Sequence, residues 1–165
     1  MWIRTETQAD HAAINKVIAA AFADQPGEGQ TEQRIVEALR ADGALSLSLV
    51  ADIDGRIAGH AAFSAVRVGD GAVGWYGLGP VAVAPGDQRN GVGSALIRAG
   101  LSELAERGAR GCVVLGEPGY YQRFGFRHEP ELRFGQVPPQ YFQTLTFGDR
   151  VAEGEVTYHA SFTAQ

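Results

Sequence analysis

The chain has 165 residues, 45% of them hydrophobic and 20% charged, which is enough for a single domain spanning 1–165 with its own core. A balance of 14 Lys plus Arg against 19 Asp plus Glu gives a net charge of -5, which argues against a broad nucleic-acid-binding face. The first ten residues hold no basic segment followed by an apolar run, and no stretch of about 18 apolar residues occurs, so the expectation is a cytoplasmic protein without a membrane span.

Cys112 is the only cysteine, which excludes an intrachain disulfide, and the four histidines show no metal-ligand spacing, so no metal is expected. Cys112 opens the apolar run Cys112-Val113-Val114-Leu115 and reads as a buried structural thiol. Lys16, the only lysine, sits in a helical pattern far from any glycine-rich loop, which speaks against P-loop and Schiff-base chemistry.

Residues 2–7 read as a short strand, and Thr7 with Asp10 makes a capping pair for the helix that follows. Ile14, Val17, Ile18 and Ala21 recur at helical spacing and define one buried face, with the helix fading at 22–24. Residues 24–30, with Pro26, Gly27 and Gly29, read as a loop; Thr31 then caps a second helix that carries Ile35, Ala38 and Leu39 and ends at Gly43. Segments 45–53 and 56–68 are rich in strand formers, and Asp54-Gly55 between them predicts a hairpin of two long antiparallel strands.

After a turn at Asp70-Gly71, residues 75–83 read as another strand, ended by Pro85 and Gly86. From Gly91 onward, Val92, Leu96 and Ala99, with Ile97, Leu101 and Leu104 beside them, form a wide apolar stripe that runs to Arg107, with Gly108 as terminator. The run 112–115 behaves as a buried strand, so strand, helix and strand form a crossover with parallel pairing inside a mixed sheet. Residues 118–124 read as a short helix, 125–128 as the start of a strand, and 156–162 as a closing strand. The stretch 129–150, with Pro130, Pro138 and Pro139, is too long for a simple turn; it reads as a functional or partner-facing loop, long enough to meet the second subunit of a homodimer.

The informative segment lies between the strand 75–83 and the long helix: Gln88-Arg89-Asn90-Gly91-Val92-Gly93-Ser94. A helix N-terminus exposes unpaired amides and the positive end of its dipole, so it can hold a diphosphate without a lysine. Gly91 and Gly93 remove side chains where phosphate oxygens approach the backbone, Ser94 adds a hydroxyl donor, and Arg89 or Arg98 can screen further charge. A tight entry turn without a ligand is the plain alternative for a lone Gly-x-Gly. A dinucleotide fingerprint fails because Leu96 stands where the third glycine or an alanine is needed, and a Walker motif fails because no Gly-Lys-Ser or Gly-Lys-Thr occurs.

Gln88-Arg89-Asn90-Gly91-Val92-Gly93 resembles the signature of the GNAT acetyltransferase superfamily, which runs Gln or Arg, two residues, Gly, one residue, then Gly or Ala. The resemblance continues upstream in Leu78-Gly79-Pro80-Val81-Ala82-Val83-Ala84-Pro85 and downstream in Tyr121-Gln122-Arg123-Phe124-Gly125-Phe126, about half of the chain in all. It implies a mixed α/β fold with a central sheet of about six to seven strands flanked by helices. That sheet would be split between the strand ending near Val83 and the one ending near Leu115, with acetyl-CoA as cosubstrate in the opening. It further implies that main-chain groups of Val81 and Val83 bond the pantetheine arm and that the amides of 89–94 hold the pyrophosphate. The activity implied is N-acetyl transfer to an amine of a small molecule or a protein N-terminus; the alternative is a CoA-sensing domain without turnover.

An amine with a pKa near 10.4 is mostly protonated at pH 7, so a base or a water path is useful. Glu117, just after the strand 112–115, is the first candidate, with a solvated carboxylate as the plain alternative. It departs from the asparagine often found near this point in the superfamily. His60 is a second candidate, although Gly59, Ala61 and Ala62 suggest a packed strand histidine, and Asp87 reads as a turn residue. Tyr121 matches the tyrosine that in the family protonates the departing thiolate, while its neighbour Tyr120 leaves open which of the two packs. The acceptor pocket is expected to draw on 22–30 and 138–147; neither holds a dense acidic cluster, which disfavours a polycationic acceptor.

Overall fold

The computed structural model describes residues 1–135 and 137–163. Strand β1 (Trp2–Thr5) leads through a 3-10 turn into helix α1 (His11–Ala21), and the Asp10 carboxylate accepts a 2.7 Å hydrogen bond from the Thr7 amide, the capping pair the sequence predicts. Helix α2 (Glu28–Ala41) begins four residues earlier than expected. Gly27, at φ +82°, turns the chain in a left-handed conformation, and Thr31 lies inside the helix with its hydroxyl donating to the Gly27 carbonyl at 3.0 Å.

The hairpin forms as β2 (Leu45–Ile53) and β3 (Arg56–Ala65), with Asp54 and Gly55 both at positive φ. The second strand stops short of the expected end, and Arg67–Val68 forms a separate short strand, β4, in another sheet. Strand β5 (Trp75–Val83), helix α3 (Val92–Glu106) and strand β6 (Gly111–Leu115) make the predicted crossover, β5 and β6 pairing in parallel. Helix α4 (Pro118–Tyr121) continues into a 3-10 turn over Gln122–Phe124.

The stretch expected to be a loop, 129–150, contains strands β7 (Leu132–Arg133) and β8 (Phe142–Thr146), and β8 closes the main sheet by pairing antiparallel with β6. Gln136, within that stretch, lies outside the described residues. Residues 125–128 contribute one bridge, Arg127 to Thr144, rather than a strand. The expected closing strand is shorter and earlier, β9 (Gly154–Thr157), followed by a 3-10 turn at Ala160–Phe162.

The result is a six-stranded mixed sheet in the order β1-β2-β3-β5-β6-β8 and a three-stranded sheet in the order β4-β9-β7. Leu96, Ile97, Leu101 and Leu104 of α3 pack on Leu49, Ala61 and Phe63 on one face of the main sheet. Each such buried side chain contributes about 1.5–3 kcal/mol of transfer free energy. Ile14, Val17, Ile18 and Val36 of α1 and α2 cover the other face over Val50 and Ala82. Among the described residues no helix is long and apolar enough to cross a membrane, and no group of His, Cys, Asp and Glu is placed to hold a metal ion.

Candidate functional site

The sheet opens because β5 changes partners along its length. Toward β3 it pairs from Tyr76 to Val83, but toward β6 only from Trp75 to Leu78. Between Leu78 and Val81 it carries one residue more than β3 does between Phe63 and Ala61, a bulge at Gly79-Pro80. Gly79 adopts φ +147°, where a side chain is strained, and Pro80 has no N–H to continue a ladder. Beyond Leu78 the edge of β5 facing β6 is therefore unpaired. Ala84 donates to the Ala58 carbonyl of β3, so by alternation the polar groups of Val83 and Val81 face the opening. One is already engaged, since the Gln88 side chain donates to the Val83 carbonyl at 3.1 Å.

Helix α3 aims its first turn at the same opening. Gly91 caps it at φ +81° and Arg89 holds φ +67°, an unusual value for a residue with a side chain. The first turn sits low over the sheet because Gly59 has no Cβ: one there would stand 2.9 Å from Val92 Cγ1 and 3.0 Å from Leu96 Cδ1. Gly93 faces Tyr120, whose hydroxyl would lie 3.1 Å from an added Cβ. Val81, Val83, Gln88, Arg89, Gly91, Val92, Gly93 and Ser94 line one cavity of about 510 Å³, with Tyr120 and Arg123 on its far wall. Of the residues the sequence singles out here, Asn90 and Arg98 are not in the lining: Asn90 is exposed, and Arg98 lies over the Phe124 ring at 4.9 Å. Arg123 lies over the Tyr120 ring at 4.6 Å, which places a guanidinium beside the amides of α3.

A second cavity, of about 740 Å³, adjoins the first through Phe22 and Val81, which line both. Tyr121 lies here, so the two adjacent tyrosines serve different cavities; their rings meet edge to face at 5.0 Å. Burial, with Tyr120 and Cys112 nearby, pushes the Tyr121 phenol up to about 12, so it keeps its proton across the physiological range. Its ring covers Gly116, where an added Cβ would come within 2.3 Å of it.

The candidate bases separate. Glu117 caps α4, is exposed and lines neither cavity; its position after β6 turns its side chain to solvent instead of to the opening. His60 is fully buried, its Nε2 bonded to Ser48 Oγ at 2.8 Å, and burial pushes it down to about 4. It is a packed strand histidine. Asp87 is held by Arg56, with a second hydrogen bond at 3.1 Å, and borders neither cavity.

Two side chains in the larger cavity escape the sequence reading. Glu32 of α2 lines it, and burial together with Glu28 one turn away pushes its carboxyl up to about 7. The sequence signal is the like-charged pair Glu28 and Glu32 at four-residue spacing beside the expected acceptor loop. Tyr158 also lines the cavity, with a buried hydroxyl that has no hydrogen-bond partner among the described residues. The sequence places it within the closing strand 156–162, where alternation alone gives no sign of a cavity.

Coenzyme A suits the smaller cavity on three observations: an unpaired strand edge for an amide-bearing arm, a capped helix N-terminus beside an arginine, and glycines where a Cβ would intrude. The comparisons agree with that fit. The family model described as "Acetyltransferase (GNAT) domain" matches residues 2–128. The uncharacterized N-acetyltransferase YhbS of Escherichia coli K12 is 38% identical over 170 residues, covering 98% of each chain. A crystal structure of a GNAT family acetyltransferase from Brucella melitensis in complex with acetyl-CoA is 50% identical, covers 98% of this chain and 97% of its own, and has a TM-score of 0.86. That of Escherichia coli YhbS in complex with CoA is 33% identical, covers 99% and 92%, and has a TM-score of 0.91. With its split mixed sheet, its glycine-capped helix and relatives matched along nearly their whole length, the chain belongs to the GNAT family of N-acetyltransferases.

Proposed function

We propose that the chain, acting as one domain over 1–165, transfers the acetyl group of acetyl-CoA to an amine held in the larger cavity. The observation that carries this reading is the junction of the two cavities at Val81, with Tyr121 on the larger side. Walls of that larger cavity come from both ends of the chain, Phe22 and Ile35 near the start and Val156 and Phe162 near the end.

When bound, acetyl-CoA supplies the activated acyl group as a thioester. The main-chain groups of Val81 and Val83 bond the pantetheine arm as an additional strand would be bonded. The amides at 89–94 receive the pyrophosphate, with the dipole of α3 and the Arg123 guanidinium offsetting its charge. The Tyr121 phenol donates a hydrogen bond to the sulfur as it becomes a thiolate. Because the phenol stands at about 12 and a thiol near 8.5, outright loss of its proton is uphill, so Tyr121 passes a proton on only as it regains one from the acylated nitrogen.

Acetyl-CoA at 100 times its dissociation constant should stabilise the folded chain by about 2.7 kcal/mol, seen as a higher melting temperature, with NAD and ATP shifting it far less. Thiol release that depends on an added amine then separates an enzyme from a CoA sensor. Equal shifts from all three nucleotides would reduce the smaller cavity to a general phosphate site.

A further inference from the structure

The larger cavity is mostly apolar, with Thr157, Thr163 and the two tyrosines Tyr121 and Tyr158 among its polar lining. Phe22, Ile35, Leu78, Phe134, Val156 and Phe162 form its walls, and its ionisable groups of ordinary charge are two carboxylates, Glu32 and Glu155. No lysine, arginine or histidine lines it among the described residues. Glu155 is already engaged, accepting from the Gly135 amide and lying 4.0 Å from Arg133. Glu32 has no cationic partner among the described residues, although it is half-buried. A half-buried carboxylate in an apolar chamber is costly in its charged form unless a cation joins it, and otherwise it takes up a proton, as the raised pKa of Glu32 reflects.

Resting on the acetyl-transfer reading, we propose that Glu32 receives the ammonium of the acceptor and takes its proton, and that the acceptor is a singly charged primary amine with a compact apolar body and no carboxylate. The apolar walls favour the body by burial. A second ammonium would be stranded against Phe22, Ile35 and Phe162. An amino-acid carboxylate would meet the like charge of Glu32 and no cation in the lining.

The protons balance as follows. The ammonium gives one proton to the Glu32 carboxylate, which later releases it to solvent. The freed amine forms the C–N bond as the C–S bond breaks, and the second nitrogen proton replaces the one that Tyr121 gives to the sulfur. Glu32 is poised for this, since its carboxyl at about 7 is close to the working pH. The titratable groups around it are Glu28 on its own helix and Glu155, Tyr121 and Tyr158 across the cavity.

The test uses the full chain with 2-phenylethylamine, L-phenylalanine and spermidine as acceptors. Thiol release gives kcat/KM, and calorimetry gives amine binding to the CoA-bound protein. For 2-phenylethylamine, kcat/KM is expected to exceed that for the other two by about 100-fold and to rise with pH through about 7. Glu32→Gln should lower it on the order of 100-fold and remove that limb, while acetyl-CoA affinity and the melting temperature stay at or above the parent's. Glu28→Gln should move the limb to lower pH. Parental kcat/KM in Glu32→Gln, or a preference for spermidine or phenylalanine, overturns the assignment and leaves acetyl transfer standing. Amine binding that depends on Glu32 without any thiol release overturns acetyl transfer and supports the cavity's assignment; absence of both binding and release overturns both.

Discussion

Tyr120 and Tyr121 differ by one position and by about 100° around a helix turn, and that rotation sends the Tyr120 hydroxyl toward the first turn of α3 and places Tyr121 on the wall of the larger cavity. Each phenylalanine variant removes a single oxygen. Tyr121→Phe should lower kcat about tenfold, less than the 100-fold or more typical of demanding proton transfers, because a thiolate leaves more readily than an alkoxide. Its acetyl-CoA affinity should stay within a few-fold of the parent. Tyr120→Phe should do the reverse, raising KM for acetyl-CoA with kcat nearly unchanged. Steady-state rates with both substrates varied decide it, and loss of kcat in the Tyr120 variant alone would reassign the acid. At this scale the sequence carries the motif register that singles out Tyr121, but not Glu117's outward turn or Glu32's inward one. Those depend on where a helix cap and a neighbouring turn aim a side chain, which no spacing rule contains.

At the scale of elements, α3 must lie close to the sheet along its length. Gly59 seats its first turn, and Gly100 lets the Phe63 ring lie where a Cβ would be only 2.2 Å away. Gly93 lies on the side of the same helix that lines the smaller cavity, where valine would crowd Tyr120 and Val83. Gly93→Val should weaken acetyl-CoA binding by at least tenfold with the melting temperature within a few degrees of the parent. Gly148→Ala, which meets nothing within 4 Å and has no left-handed backbone, is the control. Unchanged affinity by calorimetry in a folded Gly93 variant removes the phosphate role from this loop. The crossover of β5, α3 and β6 was legible because its apolar stripe and flanking glycines all agree. Strand β8 was not, because Phe142-Gln143-Thr144 buries two polar side chains at the sheet's edge and so lacks the alternation that marks a half-exposed strand. The small sheet escaped for another reason: strands of two to four residues carry too short a pattern to read.

Across the whole molecule, β1, β2, β3 and α2 are tied by one polar cluster. Glu6 accepts from Arg40 at 2.9 Å and from Ser48, and Ser48 meets the buried His60. His60 stays neutral in the fold down to about 4, against an ordinary value near 6.5, because burial outweighs the nearby Glu6 and Arg40 adds to it. The unfolded chain therefore takes up a proton between those values that the folded chain refuses, so stability falls as pH drops through that window. Glu6, held below its ordinary value by Arg40 and Ser48 despite its burial, adds a further loss only below about 4.5. The melting temperature of the parent should fall between pH 6.5 and 5, and that of His60→Gln should fall less. Equal falls in calorimetry at both pH values would remove His60 from the acid response.

The bulge at Gly79-Pro80 leaves β5 with a row of main-chain groups that, on the proposed reading, a pantetheine arm completes. Substrate and spent coenzyme thus present the same arm and the same diphosphate to the same atoms, and the protein has little with which to tell them apart. Discharge of the product then competes with recharging on nearly equal terms. On that reading, free coenzyme competes with the acetylated form, so throughput is expected to fall as spent coenzyme accumulates around the protein.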